Sequence, residues 1–156
     1  MKKILFIFLF MSVSDSFAEG CNADEIMVAS CDLPGKAQRM AVFCAKKHND
    51  NVRYLFEENN LPELSVEFNS RNRMKRWVDL GTYSTYLGFN KGKYSYVLII
   101  PEERPDAVAL LEIKLNGEKI STKRCNSNSF GEHHIKKDSI EDVPDDIVRE
   151  NGFKFP

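Results

Sequence analysis

Glu132-His133-His134 is the one cluster whose residue types suit a metal ion or a general base, because neutral imidazole is the common ligand and proton acceptor near neutral pH. Its spacing argues against both roles. Adjacent strand residues point to opposite faces, His48 is distant, and neither a His-Glu-x-x-His nor a two-histidine-one-carboxylate pattern occurs. A solvated loop pair is expected. Ser84 and Ser95 lie in strand-like stretches without the Gly-x-Ser-x-Gly elbow that presents a nucleophile on a sharp turn. Glu57-Glu58 and Glu102-Glu103 are adjacent carboxylates in expected loops, and nothing sets two of them across a cleft as glycoside hydrolysis requires. No catalytic residue, metal or cofactor is therefore expected, and the chain is read as a non-enzyme.

The remaining reactive residues are Cys21, Cys31, Cys44 and Cys125, and the leader decides their state. Lys2 and Lys3 precede an apolar run from Ile4 to Val13, and Ser16-Phe17-Ala18 forms a small-x-small site. This is the pattern of a secretory signal peptide over residues 1–18, cut after Ala18, for export to the periplasm. Cys21 offers a competing lipid-attachment reading, but Glu19 stands where such sites take a small residue. Export oxidises thiols, so two disulfides are expected and no cysteine nucleophile.

Four cysteines allow three pairings. Cys31 and Cys44 flank Pro34-Gly35-Lys36 with apolar residues on either side. A hairpin with a long loop favours Cys31–Cys44, leaving Cys21–Cys125 to fasten the N-terminal segment to the last strand. A tighter turn centred on Pro34-Gly35 sets Cys31 opposite Met40, and Cys21–Cys44 with Cys31–Cys125 then becomes the better set. No Cys-x-x-Cys is present, so a zinc site is disfavoured.

Those side chains need a frame, and the chain is long enough to build one. Removing the leader leaves 138 residues with 20 basic and 22 acidic side chains, enough for one core. Near-neutral charge gives no reason to expect nucleic acid or an anionic membrane as partner. No second apolar stretch approaches the roughly 20 residues of a membrane span, so stable membrane insertion is not expected.

From Ile26 to Cys125 the chain reads as short strands at 26–33, 40–44, 51–56, 64–68, 81–89, 94–100, 108–115 and 119–125. Leu64, Val66 and Phe68 alternate with polar residues, while Asn90-Lys91-Gly92-Lys93 and Asn116-Gly117-Glu118 are hairpin turns. Residues 70–77 could hold a turn of helix. The expected fold is all-β, an antiparallel sandwich or small barrel of about eight strands. The single β domain covers 19–137, and a polar, acidic tail at 138–156 packs on it or extends from it. Ile140, Val143, Ile147 and Val148 are the residues that could tie that tail down.

Two surface sets suggest binding. Arg71, Arg73, Lys75 and Arg76 beside Trp77 read as a solvated basic loop, or as a site for an acidic partner. Tyr83, Tyr86, Tyr94 and Tyr96 occupy strands so that at least one is exposed, and half-exposed tyrosines suit protein contacts.

The leader, Cys31-Asp32-Leu33 with Val42-Phe43-Cys44, Val52-Arg53-Tyr54, Lys93-Tyr94-Ser95-Tyr96 after the Asn-Lys-Gly turn, and the late Cys125 give a layout across most of residues 26–125. In this layout the chain resembles the exported β-sandwich inhibitors of Gram-negative bacteria, namely periplasmic lysozyme inhibitors and immunity proteins against wall-attacking toxins. One lysozyme-inhibitor group uses a Ser-Gly-x-x-Tyr loop; the nearest stretch here is Gly81-Thr82-Tyr83-Ser84-Thr85-Tyr86, which lacks the Ser-Gly order. The resemblance implies a protein partner, a peptidoglycan-degrading enzyme or toxin. Tyr83, Ser84 and Tyr86 become candidate contacts, and Asp142, Asp145 and Asp146 of the tail could steer a basic partner. An envelope protein that binds a small molecule or glycan between its sheets is the alternative reading.

Overall fold

Runs of alternating apolar residues can bury one face of a strand only if a second sheet covers it. A computed structural model describes residues 20–101, 106–126 and 131–156, and it meets this requirement with two stacked sheets. The first is an antiparallel meander of β1 (Glu25–Leu33), β2 (Arg39–Lys46), β3 (Val52–Glu58) and β4 (Leu61–Phe68) in chain order. The second holds β5 (Met74–Asp79), β6 (Ser84–Lys91), β7 (Tyr94–Ile100), β8 (Leu110–Leu115), β9 (Glu118–Arg124) and β10 (Ile140–Asp142). Its order is β10-β5-β6-β7-β8-β9, with β10 parallel to β5 and every other neighbour antiparallel. A short helix, α1 (Asp145–Glu150), follows. The leader residues and Glu102-Glu103 lie outside the described residues.

The all-β sandwich is as expected, but two strands differ from the sequence reading. Residues 74–79 form β5 rather than a helical turn in a solvated loop, and the acidic tail supplies β10 as its partner. The tight turns behave as anticipated. Gly92 at φ +61 and the pair Asn116 and Gly117 at +52 and +82 take the left-handed conformations that two-residue hairpin turns demand.

Val28, Ala41, Phe43, Tyr54 and Phe68 face Leu87, Phe89, Leu98, Ile100 and Leu111 in the main core. Phe43, Tyr54 and Phe89 meet with ring centroids 4.8 and 4.9 Å apart along the chain of contacts. Strand β4 crosses the strands opposite. Phe68 at its end lies 5.1 Å from Phe89 of β6, whereas Leu64 near its start lies over Tyr96 of β7 and Leu111 of β8.

The outer face of the larger sheet carries a second apolar cluster. Trp77 and Val97 pack there with Val148 of α1 and Phe155, so the tail covers a face that would otherwise be an exposed apolar patch. Gly88 makes this possible: a Cβ at that position would stand 3.1 Å from the Phe155 ring and 3.3 Å from Pro156.

The disulfides are Cys21–Cys44 and Cys31–Cys125, so the favoured pairing of Cys31 with Cys44 and Cys21 with Cys125 is corrected to the alternative. The reason is register and parity. The β1–β2 turn is tight enough that Cys31 pairs with Ala41 and Met27 with Cys44. Side chains alternate along a strand, so Cys31 enters the main core while Cys44 joins Cys21, Met27 and Leu55 on the opposite face. A bond between Cys31 and Cys44 would have to pass through the sheet. Cys21, the residue of the competing lipid-attachment reading, is the disulfide partner of Cys44. Two disulfides and no free cysteine among the described residues indicate an oxidising, exported environment.

Beside Cys21–Cys44, Glu25 is buried on β1 and receives hydrogen bonds from Arg53 Nη2 at 2.7 Å and the Asn22 backbone N–H at 2.8 Å, with Lys46 Nζ 3.2 Å away. Burial alone would push its carboxyl up. The Arg53, Asn22 and Lys46 donors outweigh that and hold it at about 2, against an ordinary 4.5. A carboxyl with a lowered folded pKa contributes stability that is complete above its unfolded value and disappears as pH falls through the folded one. Wild type should therefore lose on the order of 2 kcal/mol between about pH 5 and pH 2 from this group, after discounting for solvent near Lys46. Urea midpoints measured across that range should be flatter for Glu25→Gln than for wild type, and equal slopes would remove Glu25 as the source.

Candidate functional site

Asp79 closes β5, and an aspartate followed two residues later by glycine favours a turn in which the carboxylate accepts from the backbone ahead of it. Its Oδ1 accepts the Gly81 N–H at 2.9 Å and its Oδ2 the Thr82 hydroxyl at 2.8 Å, while its carbonyl accepts the Tyr83 N–H at 2.7 Å. Tyr83 is held at φ +55, a left-handed conformation that a tyrosine adopts only under constraint. The result is a β5–β6 turn whose backbone is fixed from within and whose large side chains point out. Leu80 is 62% exposed and Tyr83 64%.

The C-terminal helix braces this turn. Arg149 donates through Nη2 to Asp79 and through Nε to Asp145 at 2.7 Å, and Asp145 also accepts Trp77 Nε1–H at 2.8 Å. Arg149, ahead of the Trp77 N–H, holds the Asp145 carboxyl below the usual aspartate range. Arg149 packs against Gly81 at the turn, and its guanidinium lies 5.3 Å from the ring centroid of Phe153, which is 55% exposed. Arg149 thus links the turn to Phe153, and the exposed Leu80 and Tyr83 stand on that same turn; tyrosine and arginine are residue types that often carry binding energy at protein interfaces.

The candidate contacts divide on this frame. Tyr83 is displayed. Ser84 is buried beneath the turn and its N–H donates to Thr82 Oγ1. Tyr86 is half-buried and stacks on Trp77 with centroids 4.2 Å apart. Asp142 accepts two bonds from Arg76 and Asp145 is occupied as described, so both carboxylates hold the tail down. Asp146 is exposed and accepts the Ile147 N–H at the start of α1. Leu80, Arg149 and Phe153 were not anticipated. The Asp79-Leu80-Gly81-Thr82 turn pattern was the available signal for the first, whereas Arg149 and Phe153 reach the turn only through the packing of the tail.

The other chemistry-bearing residues stay apart from this surface. Tyr94 is exposed, and Tyr96 stacks on Phe89 at 5.2 Å toward the core. Ser95 is buried, its hydroxyl bonded to Asn90. Arg71 and Arg73 are exposed, but Arg76 is buried, so the basic run is not a continuous solvated loop. The His133 and His134 rings lie 4.0 Å apart, and the His133 carbonyl accepts from Arg76. Burial, followed by the nearby His133 and Arg76 charges, pushes the His134 imidazole down. Among the described residues the one set of ligand atoms close enough for a metal is Cys21, Glu25 and Cys44. Both sulfurs are joined in the disulfide and the carboxylate is held by Arg53 and Lys46, so the donors do not suit an ion. No helix of the described residues is long and apolar enough to cross a membrane. Comparison of the chain with protein-family models, with curated proteins and with solved structures gave no match in any of the three.

Proposed function

We propose that this chain is a periplasmic, non-enzymatic binding protein that blocks a cell-wall-degrading enzyme or toxin by seating the β5–β6 turn against it. One observation carries the reading: the turn is immobilised by Asp79 and Arg149 while Leu80 and Tyr83 stand largely in solvent. A preorganised loop spends little entropy on binding, and two disulfides brace the scaffold behind it. The leader-like N-terminus and the layout shared with exported inhibitors supply the class of target. Of the three tail carboxylates considered for charge steering, Asp142 and Asp145 are paired internally, which leaves Asp146 to act on a partner.

The test is capture and inhibition with a panel of purified lysozymes and peptidoglycan-cleaving toxins. A member of the panel should bind and lose activity. Tyr83→Ala should weaken that complex by about ten- to thirtyfold, in the range of an interface hot spot, with an unchanged melting temperature. Absence of binding to every wall-degrading enzyme, or an unchanged affinity for Tyr83→Ala, would sink the proposal.

A further inference from the structure

Beside the tail, the outer face of the larger sheet carries a hollow. Side chains on one face of a strand recur at every second residue, so the register sets Trp77, Tyr86 and Ile99 in one cross-strand row and Val97 beside Glu112 in the next. Phe153 and Phe155 of the tail and Lys114 of β8 add to the lining, and the volume is about 220 Å³. A cavity of about 150 Å³ holds one benzene, so this one admits a six-membered ring with some of its substituents, the others projecting into solvent.

The polar groups of the hollow are open and under-used. Among the described residues the Tyr86 hydroxyl makes no hydrogen bond, and neither does the Glu112 carboxylate, whose oxygens have only Lys114 Nζ at 3.6 Å and Lys119 Nζ at 3.7 Å. Neither residue holds one of the sealed, unpartnered polar atoms of the chain, so a ligand entering from solvent can reach both groups. Lys114 Nζ donates to the Phe155 carbonyl, and an ammonium has two further protons to give. Burial, and then the Asp79 and Glu112 charges, push the Tyr86 phenol up, so it stays protonated.

The charges around the hollow balance. Asp79 is paired with Arg149, and Glu112 lies between Lys114 and Lys119, so neither an anion nor a cation gains a net attraction. Aromatic walls beside a carboxylate acceptor, a phenol and an ammonium donor suit a ligand that is uncharged, apolar on its flat face and hydroxylated at its edge. We infer that the hollow binds one neutral pyranose ring of a glycan, its C–H face against the exposed ring of Phe153, its hydroxyls donating to Glu112 and Tyr86 and accepting from Lys114. The site lies outside the sandwich, not between its sheets, and it goes beyond the inhibitor reading because its ligand is a sugar and not a protein.

Amide NMR titration of the full oxidised chain with the methyl β-glycosides of glucose, galactose and N-acetylglucosamine tests it, with cyclohexylmethanol as a ring that lacks the hydroxylated edge. At least one glycoside should saturate with a Kd on the order of 1 mM. Its shifts should centre on Tyr86, Val97, Glu112 and Phe153, and cyclohexylmethanol should bind about tenfold more weakly or not at all. Glu112→Gln keeps the shape and should weaken that glycoside about tenfold, as loss of a hydrogen bond to a charged group predicts, and Tyr86→Phe should weaken it about fivefold. Both variants should keep the wild-type melting temperature. No saturation by any of the three glycosides, shifts centred elsewhere, cyclohexylmethanol binding as tightly, or an unchanged affinity in either variant would each overturn it. The readout contains no wall-degrading enzyme, so its failure leaves the inhibitor reading standing.

Discussion

Replacing Cys31 and Cys125 together by alanine should lower stability by about 4–5 kcal/mol, a third or more of what a domain of this size usually has. The two cysteines are 94 residues apart, and a cross-link stabilises by removing loop-closure entropy from the unfolded chain, more for longer loops. The other disulfide spans 23 residues, for which the same relation gives about 3 kcal/mol. Because the two loops interleave, a detour through Cys21–Cys44 barely shortens the route from Cys31 to Cys125, so neither bond substitutes for the other. Alanine is the informative replacement, since both sulfurs are buried and serine would add an unpaired hydroxyl. Urea denaturation of the variant and of wild type should differ by this amount, and a loss below about 2 kcal/mol would mean the unfolded chain is already compact near these residues.

The correct disulfide set was present in the sequence as an alternative, and what separated the two was one turn. Pro34-Gly35 marks where the chain reverses but not how tightly. Moving the register by one residue exchanges the faces of every side chain, so the choice between Cys31 and Cys44 as neighbours hung on a detail local composition does not contain. The β6–β7 and β8–β9 hairpins were legible because Gly92 and Asn116-Gly117 state their turn type directly. The alternation of Leu64, Val66 and Phe68 was legible because β4 has one solvent face. Strand β5 was not. Its residues Lys75, Arg76 and Asp79 look solvated, and they are accommodated only because Asp142 and Arg149 arrive from about 70 residues away. The binding surface shares that fate: Tyr83 could be singled out from its own segment, but the brace that fixes it comes from the tail.

That brace leads to the second large effect, at Arg76. Its side chain is 5% exposed and makes four hydrogen bonds: Nε and Nη2 to the two carboxylate oxygens of Asp142 at 2.5 and 2.9 Å, and Nη1 to the carbonyls of His133 and Ile135 at 2.9 and 2.8 Å. Asp142 itself is 60% exposed, so the ion pair alone is worth little. The larger contribution is the planar fork, which satisfies two backbone carbonyls and the carboxylate at once. Arg76→Met should cost about 3 kcal/mol, since it strands those acceptors beside an apolar side chain. Arg76→Lys should recover less than half, because an ammonium cannot reach all three partners. The loss should begin locally. Strand β10 is held to β5 through three residue pairs, and α1 and Phe155 follow it onto the outer face. Freed of the clamp, residues 140–155 should exchange their amide hydrogens faster than the strands of the four-stranded sheet. Arg149 would then leave Asp79, and the Tyr83 turn would lose its brace while Tyr83 itself stayed intact. Arg76→Met should therefore weaken binding of the partner found for wild type, whereas unchanged exchange across 140–150 would show that the tail is held by its apolar contacts without Arg76.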